Sequence, residues 1–362
     1  MTAGVLPSQS IRTMIAAGEI SATDAIDPGQ IQPSSLDLRL GHKAWRVRAS
    51  YLSGKGNTVA GRLDDFKMHQ IDLTDAGAVL EKGCVYVVPL MESLDLPGDI
   101  SAIANAKSST GRLDLFTRLI TDNGDEFDRI EAGYSGPLYA EISPRSFSVL
   151  LRPGARLNQI RFRSGDAVLS DAELSRLHRD VGLVDGPAVI DHGLGFSVDL
   201  TTTRSDRVIG YRAKPHTALI DLARIGHYDP AEFWEPVTAP EQRIILDPGA
   251  FYILVSREAV HVPPDYAAEM APYIAMVGEF RVHYAGFFDP GFGHQAAGGG
   301  GSRGVLEVRC HEAPFALEHG QIVGRLVYER MTETPDILYG ADLKSNYQGQ
   351  GLKLSKHFKS DA

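Results

Sequence analysis

Apolar and polar residues alternate along most of this chain in short runs that end in turn residues. Segments 84–90, 138–142, 251–256 and 305–309 are rich in Val, Ile, Leu and Tyr and are bounded by Gly, Pro or Asp. This is the pattern of half-buried β-strands joined by tight turns. Strands spaced so closely predict a sandwich, jelly roll or small barrel and not a series of βαβ units. A helical period occurs in only a few places. Residues 8–18 carry Ile11, Met14 and Ile15 on one face and stop at Gly18, and residues 171–179 carry Leu174 and Leu177 behind a candidate cap at Asp171.

The pattern also repeats. The string LEKGCVYVV at residues 80–88 returns as LDPGAFYIL at 246–254. Gly83 and Gly249, Pro97 and Pro263, Asp99 and Asp265, Glu141 and Glu307, and Gly154 and Gly320 are all 166 residues apart. Further upstream, Ser35-Leu-Asp37-Leu matches Ser197-Val-Asp199-Leu at an offset of 162. A shared offset across alternating segments predicts a tandem duplication. The expected division is a first domain over 1–165, a linker with a short helix over 166–190, a second domain over 191–335 and a tail over 336–362 that is flexible on composition alone.

Composition then narrows the function classes. The 362 residues are 43% hydrophobic and 23% charged, enough apolar content for two ordinary cores. A net charge of −10 disfavours non-specific nucleic-acid binding, which needs a basic face, but leaves room for a small anionic ligand held by a local cationic cluster. Cys84 and Cys310 form no CxxC pair, so a disulfide framework is not expected. There is no recognisable signal segment and no apolar run of membrane-spanning length, so the expectation is a cytoplasmic protein.

Two places carry candidate chemistry. Residues 107–113, KSSTGRL, offer hydroxyls, flanking cations and a permissive glycine to phosphate oxygens, although such clusters are also common on solvated turns. The matching stretch of the second copy, IAMVGEF at 274–280, has no hydroxyl pair and has an acid, Glu279. That copy instead holds FRVHYAGFFDPGF at 280–292, an apolar strand closing in an Asp-Pro-Gly turn that suits a flat base with a carboxylate near a sugar, or an ordinary hairpin. His283, His294 and His311 match no ordinary metal-site spacing, and the glycine run 298–301 lacks the context of a P-loop.

Taken in order, these strings resemble the dCTP deaminase family of the dUTPase-like superfamily. Lys107 to Leu113 is similar to its phosphate motif, His283 to Phe292 to its nucleoside hairpin, and Val305-Leu-Glu307 to the strand that carries its catalytic glutamate. QPSSLDLRL at 32–40 resembles its N-terminal strand, and Tyr339 with NYQGQG at 346–351 its nucleotide-covering tail. The resemblance implies a mainly β chain of two tandem dUTPase-like barrel or jelly-roll domains with a few short helices. It implies deamination of dCTP to dUTP and ammonia without zinc, with Mg²⁺ accompanying the triphosphate, dTTP as an inhibitor and a homo-oligomer.

Residue by residue, it implies Glu307, Arg112 and Ser109 as catalytic, with Glu141 as the alternative base. Substrate binding falls to Lys107, Ser108, Thr110, Gly111, Ala285, Asp289, Val305, Tyr339, Asn346 and Gln350. The departures are as informative. The family has one domain per chain, and its first motif arginine is Lys107 here, which keeps charge but loses the bidentate fork. The first copy has EAGY at 131–134 for the hairpin turn and Phe127 opposite Ala285, while Asn346 stands where the family's tail has lysine. One copy keeps the phosphate motif and the other keeps hairpin and glutamate, so a single composite site between unlike copies is expected. The sequence leaves open whether one chain supplies both halves. A dUTPase, a bifunctional deaminase–diphosphatase and a non-catalytic nucleotide-binding module are the competing readings.

Overall fold

The computed structural model describes residues 3–201, 206–272, 280–282, 286–340 and 351–360. The chain is mainly β. In the first copy, one sheet joins Gly4–Val5, Arg156–Ser164, Ile100–Ala106 and Arg129–Ile130, with Leu36–Arg39 also on Arg156–Ser164. A second joins Lys67–Asp72, Lys43–Val47, Val85–Asp95, Ser135–Pro144 and Leu115–Thr121, with Ile20–Ala22 added on Val85–Asp95. The two sheets enclose Leu38, Val88, Ala102, Leu119, Ala140 and Ile160.

The second copy repeats this plan. Val85–Asp95 and Phe251–Val260 begin 166 residues apart, as do Ile100–Ala106 and Tyr266–Pro272, and Arg156–Ser164 and Ile322–Arg330. The N-terminal match at an offset of 162 is corrected by strand register. Leu36, Asp37, Leu38 and Arg39 lie opposite Ile160, Gln159, Asn158 and Arg156. Leu194, Gly195, Phe196 and Ser197 lie opposite Leu326, Arg325, Gly324 and Ile322. The structural offset there is 158, and Gly195 stands where Asp37 does. Hydrogen-bond pairing sets equivalence in a ladder, and a short Ser-x-Asp-Leu string mimicked it. Asp199 instead pairs with Arg303 and accepts from Thr201.

Helix Ser8–Ala17 ends at Gly18 with φ +80°, the left-handed conformation that glycine adopts without strain. The cap of helix Asp171–Val181 is Ser170 and not Asp171: Ser170 Oγ accepts from the Glu173 amide while Glu173 reaches back to the Ser170 amide. The Asp171 carboxylate receives the His192 and Gly193 amides. A further helix, Val59–Phe66, is capped by Thr58 and buries Val59 and Leu63 among Trp45, Val47, Tyr51, Ile120 and Tyr139.

Two features join the copies. Arg161, fully buried on strand Arg156–Ser164, donates to Glu329 at 3.2 Å and to the carbonyl of Ala268 at 3.1 Å, both in the second copy. Residues 206–237 and 351–360 also pack on the first core through Ile220, Phe233, Trp234 and Phe358. Phe358 lies edge-on to Tyr228, Phe233 and Trp234. Burying one such ring is worth about 2–3 kcal/mol, enough to dock a segment that composition alone marks as flexible.

Candidate active site

Strand Ile100–Ala106 runs into Lys107, whose carbonyl accepts the amides of Thr110 and Gly111 and so opens the one-turn helix Ser108–Gly111. Along this turn Lys107 and Ser108 are half-buried, Ser109 is 7% exposed, and Thr110 and Gly111 are buried. Arg112 follows as the C-cap, itself 2% exposed.

The partner of this turn is strand Ser302–Cys310 of the second copy. Side chains alternate across a strand. Leu306, Val308 and Cys310 therefore point into the second core, while Val305 packs on the first. Glu307 and Arg309 share the Val305 face. Arg112 Nε lies 3.8 Å from Glu307 Oε1. Arg309 pairs with Asp114, which also receives Ser146 Oγ at 2.6 Å. The phosphate-motif turn is thus pinned to the glutamate strand at two points.

Glu307 is 5% exposed. Loss of water disfavours its charged form and raises its pKa to about 7, with Arg112 offsetting only part of the cost. A carboxyl poised there can accept and return a proton near neutrality.

The hairpin contributes Asp289, buried beside Arg161 at 3.6 Å and accepting from Ser34 Oγ. Burial raises its pKa. The turn that holds it needs Gly291, at φ +96°, because a Cβ there would come within 3.1 Å of Ala297, Leu338 and Tyr339. Tyr339 seals this turn by donating its amide to the Pro290 carbonyl at 2.9 Å and setting its ring 5.6 Å from Phe292. His283, Ala285, Asn346 and Gln350 lie outside the described residues.

At the other end, Lys107 is paired with the buried carboxylate of Asp37, and Arg156 lies 4.0 Å from the same group. The C-terminal segment completes the wall. Ser355 Oγ donates to the Ser109 carbonyl at 2.8 Å, and Arg112 Nη1 donates to the Lys353 carbonyl at 3.1 Å. Sequence motifs pointed to neither contact, because Lys353 and Ser355 lie beyond the tail string they matched. Within this one chain, therefore, the described parts of both motifs lie side by side.

The corresponding place in the first copy is filled. Glu141 is 2% exposed and ion-paired to Arg118 at 2.5 Å. The Arg118 guanidinium stacks 3.4 Å from the Phe127 ring and donates to Ser50 Oγ. Phe127 in turn packs on the cluster built around helix Val59–Phe66. An aromatic ring and a guanidinium therefore cover Glu141.

Two family models cover the chain. The 2'-deoxycytidine 5'-triphosphate deaminase N-terminal domain matches residues 2–166, and the C-terminal domain of the same family matches residues 170–358. The chain belongs to the dCTP deaminase family. A relative named "dCTP deaminase, dUMP-forming" from Parafrankia sp. is 32% identical over 168 residues, covering 43% of this chain and 74% of its own. A "dCTP deaminase" from Natronomonas pharaonis is 27% identical over 160 residues, covering 44% of this chain and 79% of its own. These relatives span less than half of the chain, as expected of single-unit members beside a duplicated one. The crystal structure of 2'-deoxycytidine 5'-triphosphate deaminase from Agrobacterium tumefaciens is 58% identical, covers 91% of this chain and 100% of its own, and superposes with a TM-score of 0.88.

Proposed function

We propose that the chain hydrolyses dCTP to dUTP and ammonia, with Glu307 moving the protons in one composite site per chain. The observation that carries this reading is the buried Glu307 with its pKa raised to about 7, set 3.8 Å from Arg112 of the phosphate-motif turn. Attack at C4 of cytosine needs a water stripped of a proton, a proton placed on ring N3, and a proton delivered to the departing amine. One shielded carboxylate can take the water's first proton and place it on N3, then take the second from the new C4 hydroxyl and deliver it to the amine, so the two protons of water supply both transfers without an external acid. Arg112 partly offsets the burial of Glu307 and stabilises charge at the tetrahedral stage, and Ser109 orients the water. Asp289 accepts from the 3′-hydroxyl, Val305 lines the base, and Lys107 and Ser108 face the phosphates. Mg²⁺ would travel with the triphosphate and screen its charge. Asp37 is already held by Lys107, which leaves phosphate and water oxygens as its ligands.

The test is product analysis: ammonia and dUTP from dCTP support the reading, and pyrophosphate released from dUTP alone overturns it. Relatives named dUMP-forming favour a second reading, in which dUTP is carried on to dUMP. Pyrophosphate appearing together with ammonia from dCTP would select it.

Two predictions follow from the geometry. Because the base must be ionised, kcat/KM of the free enzyme rises with pH to a plateau above about 7; a rate flat from about pH 5.5 to 8.5 contradicts the assignment. Glu141→Gln leaves kcat within about threefold of the parent, far from the roughly 100-fold loss typical of an acid–base residue. Steady-state ammonia release checks both.

A further inference from the structure

The two copies surround one carboxylate differently. Glu92 and Glu258 stand 166 residues apart at matching places on strands Val85–Asp95 and Phe251–Val260. Glu92 is fully buried and clamped by an arginine. Its Oε2 accepts the Arg39 amide at 2.8 Å, and its Oε1 accepts Arg39 Nε at 2.8 Å and Gln30 Nε2 at 2.9 Å. The rest of the Arg39 guanidinium donates to the carbonyls of Asp24 and Ala25 at 2.9 and 3.0 Å.

The second copy has lost the clamp. Ser197 lies opposite Ile322 as Arg39 lies opposite Arg156, so a serine stands where the arginine does. The loop that receives the guanidinium is shortened as well. Ile20 pairs with Leu94 as Val184 does with Val260, and Ile31 bridges Leu36 as Ile190 does Leu194. Ten residues separate Ile20 from Ile31, but only five separate Val184 from Ile190. A cavity of about 450 Å³ opens in the vacated place, with Asp185, Gly195, Ser197, Arg257, Glu258 and Arg303 in its wall. That volume suits a small ligand. Half-buried Glu258 accepts the Ser197 amide at 2.8 Å and Ser197 Oγ at 2.5 Å, and it has no cation partner among the described residues. Arg303 is engaged by Asp199, whereas Arg257 is exposed and pairs with no carboxylate among the described residues. One cavity thus holds a carboxylate without its guanidinium and a guanidinium without a carboxylate.

We propose that this cavity is a second ligand site, which takes a small molecule with a guanidine-type donor edge at one end and an anionic group at the other. The donor edge sits on Glu258 as Arg39 sits on Glu92, and the anionic group faces Arg257. Free arginine and a guanine nucleotide share this chemistry: the first ends in a guanidinium, and the second presents N1–H and N2–H side by side. Neither is a cytosine nucleotide, so the site is distinct in its ligand from the one built around Glu307.

The experiment titrates the full chain calorimetrically with L-arginine and, separately, with dGMP, and repeats both titrations on Glu258→Gln and Ser197→Arg. At least one probe binds the parent with a dissociation constant of about 1 mM or lower. Glu258→Gln weakens that probe at least about 10-fold, the scale of a lost hydrogen bond to a charged group. Ser197→Arg, which returns the first copy's guanidinium to the cavity, weakens it by at least as much. The probe that responds in this way names the source of the donor edge. The proposal fails if neither probe binds up to about 10 mM, or if no probe that binds is weakened by both variants. Neither probe is deaminated dCTP, so the outcome is independent of the deaminase reading.

Discussion

Glu307→Gln lowers kcat for dCTP by at least about 100-fold while leaving its dissociation constant within about threefold, since the amide keeps the volume and loses only the proton traffic. Single-turnover ammonia release together with equilibrium binding reads both numbers. A second readout follows from the raised pKa of about 7. A carboxyl raised in the folded state stabilises the fold below its ordinary range and loses that contribution as pH climbs through the raised value. From about pH 4.5 to about pH 7 the melting temperature of Glu307→Gln therefore improves relative to the parent, and above that the difference is constant. A difference that does not change with pH would mean that Glu307 is already ionised below neutrality and is no proton carrier.

The second large effect is on stability. Arg161 and Glu329 are both fully buried, and Arg161 also reaches Ser34 Oγ at 3.0 Å and the Ala268 carbonyl. Arg161→Met removes one partner and strands its neighbours, and breaking a buried pair in this way costs about 3–5 kcal/mol. Glu329 retains Arg163 at 2.5 Å, which favours the lower end of that range. Denaturant unfolding measures the loss. Because Ser34 also holds Asp289, the variant weakens dCTP binding as well; an unchanged midpoint would show that this seam does not hold the copies together.

Much of this arrangement was legible in the sequence, for a physical reason. Turn glycines and prolines such as Gly83, Gly249, Pro97 and Pro263 are fixed by backbone geometry, so the 166-residue offset survives divergence of the strands between them. The candidate halves of the site could be named because Lys107–Arg112 and Asp289-Pro-Gly291 are contiguous strings. What failed were places where pairing outranks local sequence. Asp199 imitates Asp37 in a four-residue string, yet the ladder puts Gly195 in its place. Helix Val59–Phe66 is only eight residues long with a glycine within it, and its stability comes from burial against Trp45 and Tyr51. The docked end of the chain is polar apart from Leu352, Leu354 and Phe358, and only the aromatic pocket of Tyr228, Phe233 and Trp234 explains its position. Ser355 reaches the Ser109 carbonyl through that docking, which no short motif encodes.

The central claim is that one chain supplies both halves of the site. The most direct measurement co-expresses two differently tagged inactive variants, Glu307→Gln and the double variant Lys107→Met with Ser108→Ala, and assays the doubly purified product. A site built within each chain predicts ammonia release no greater than that of the two variants measured separately. Recovery of about a quarter of the parent rate, the share expected if intact halves meet at random between chains, would contradict it.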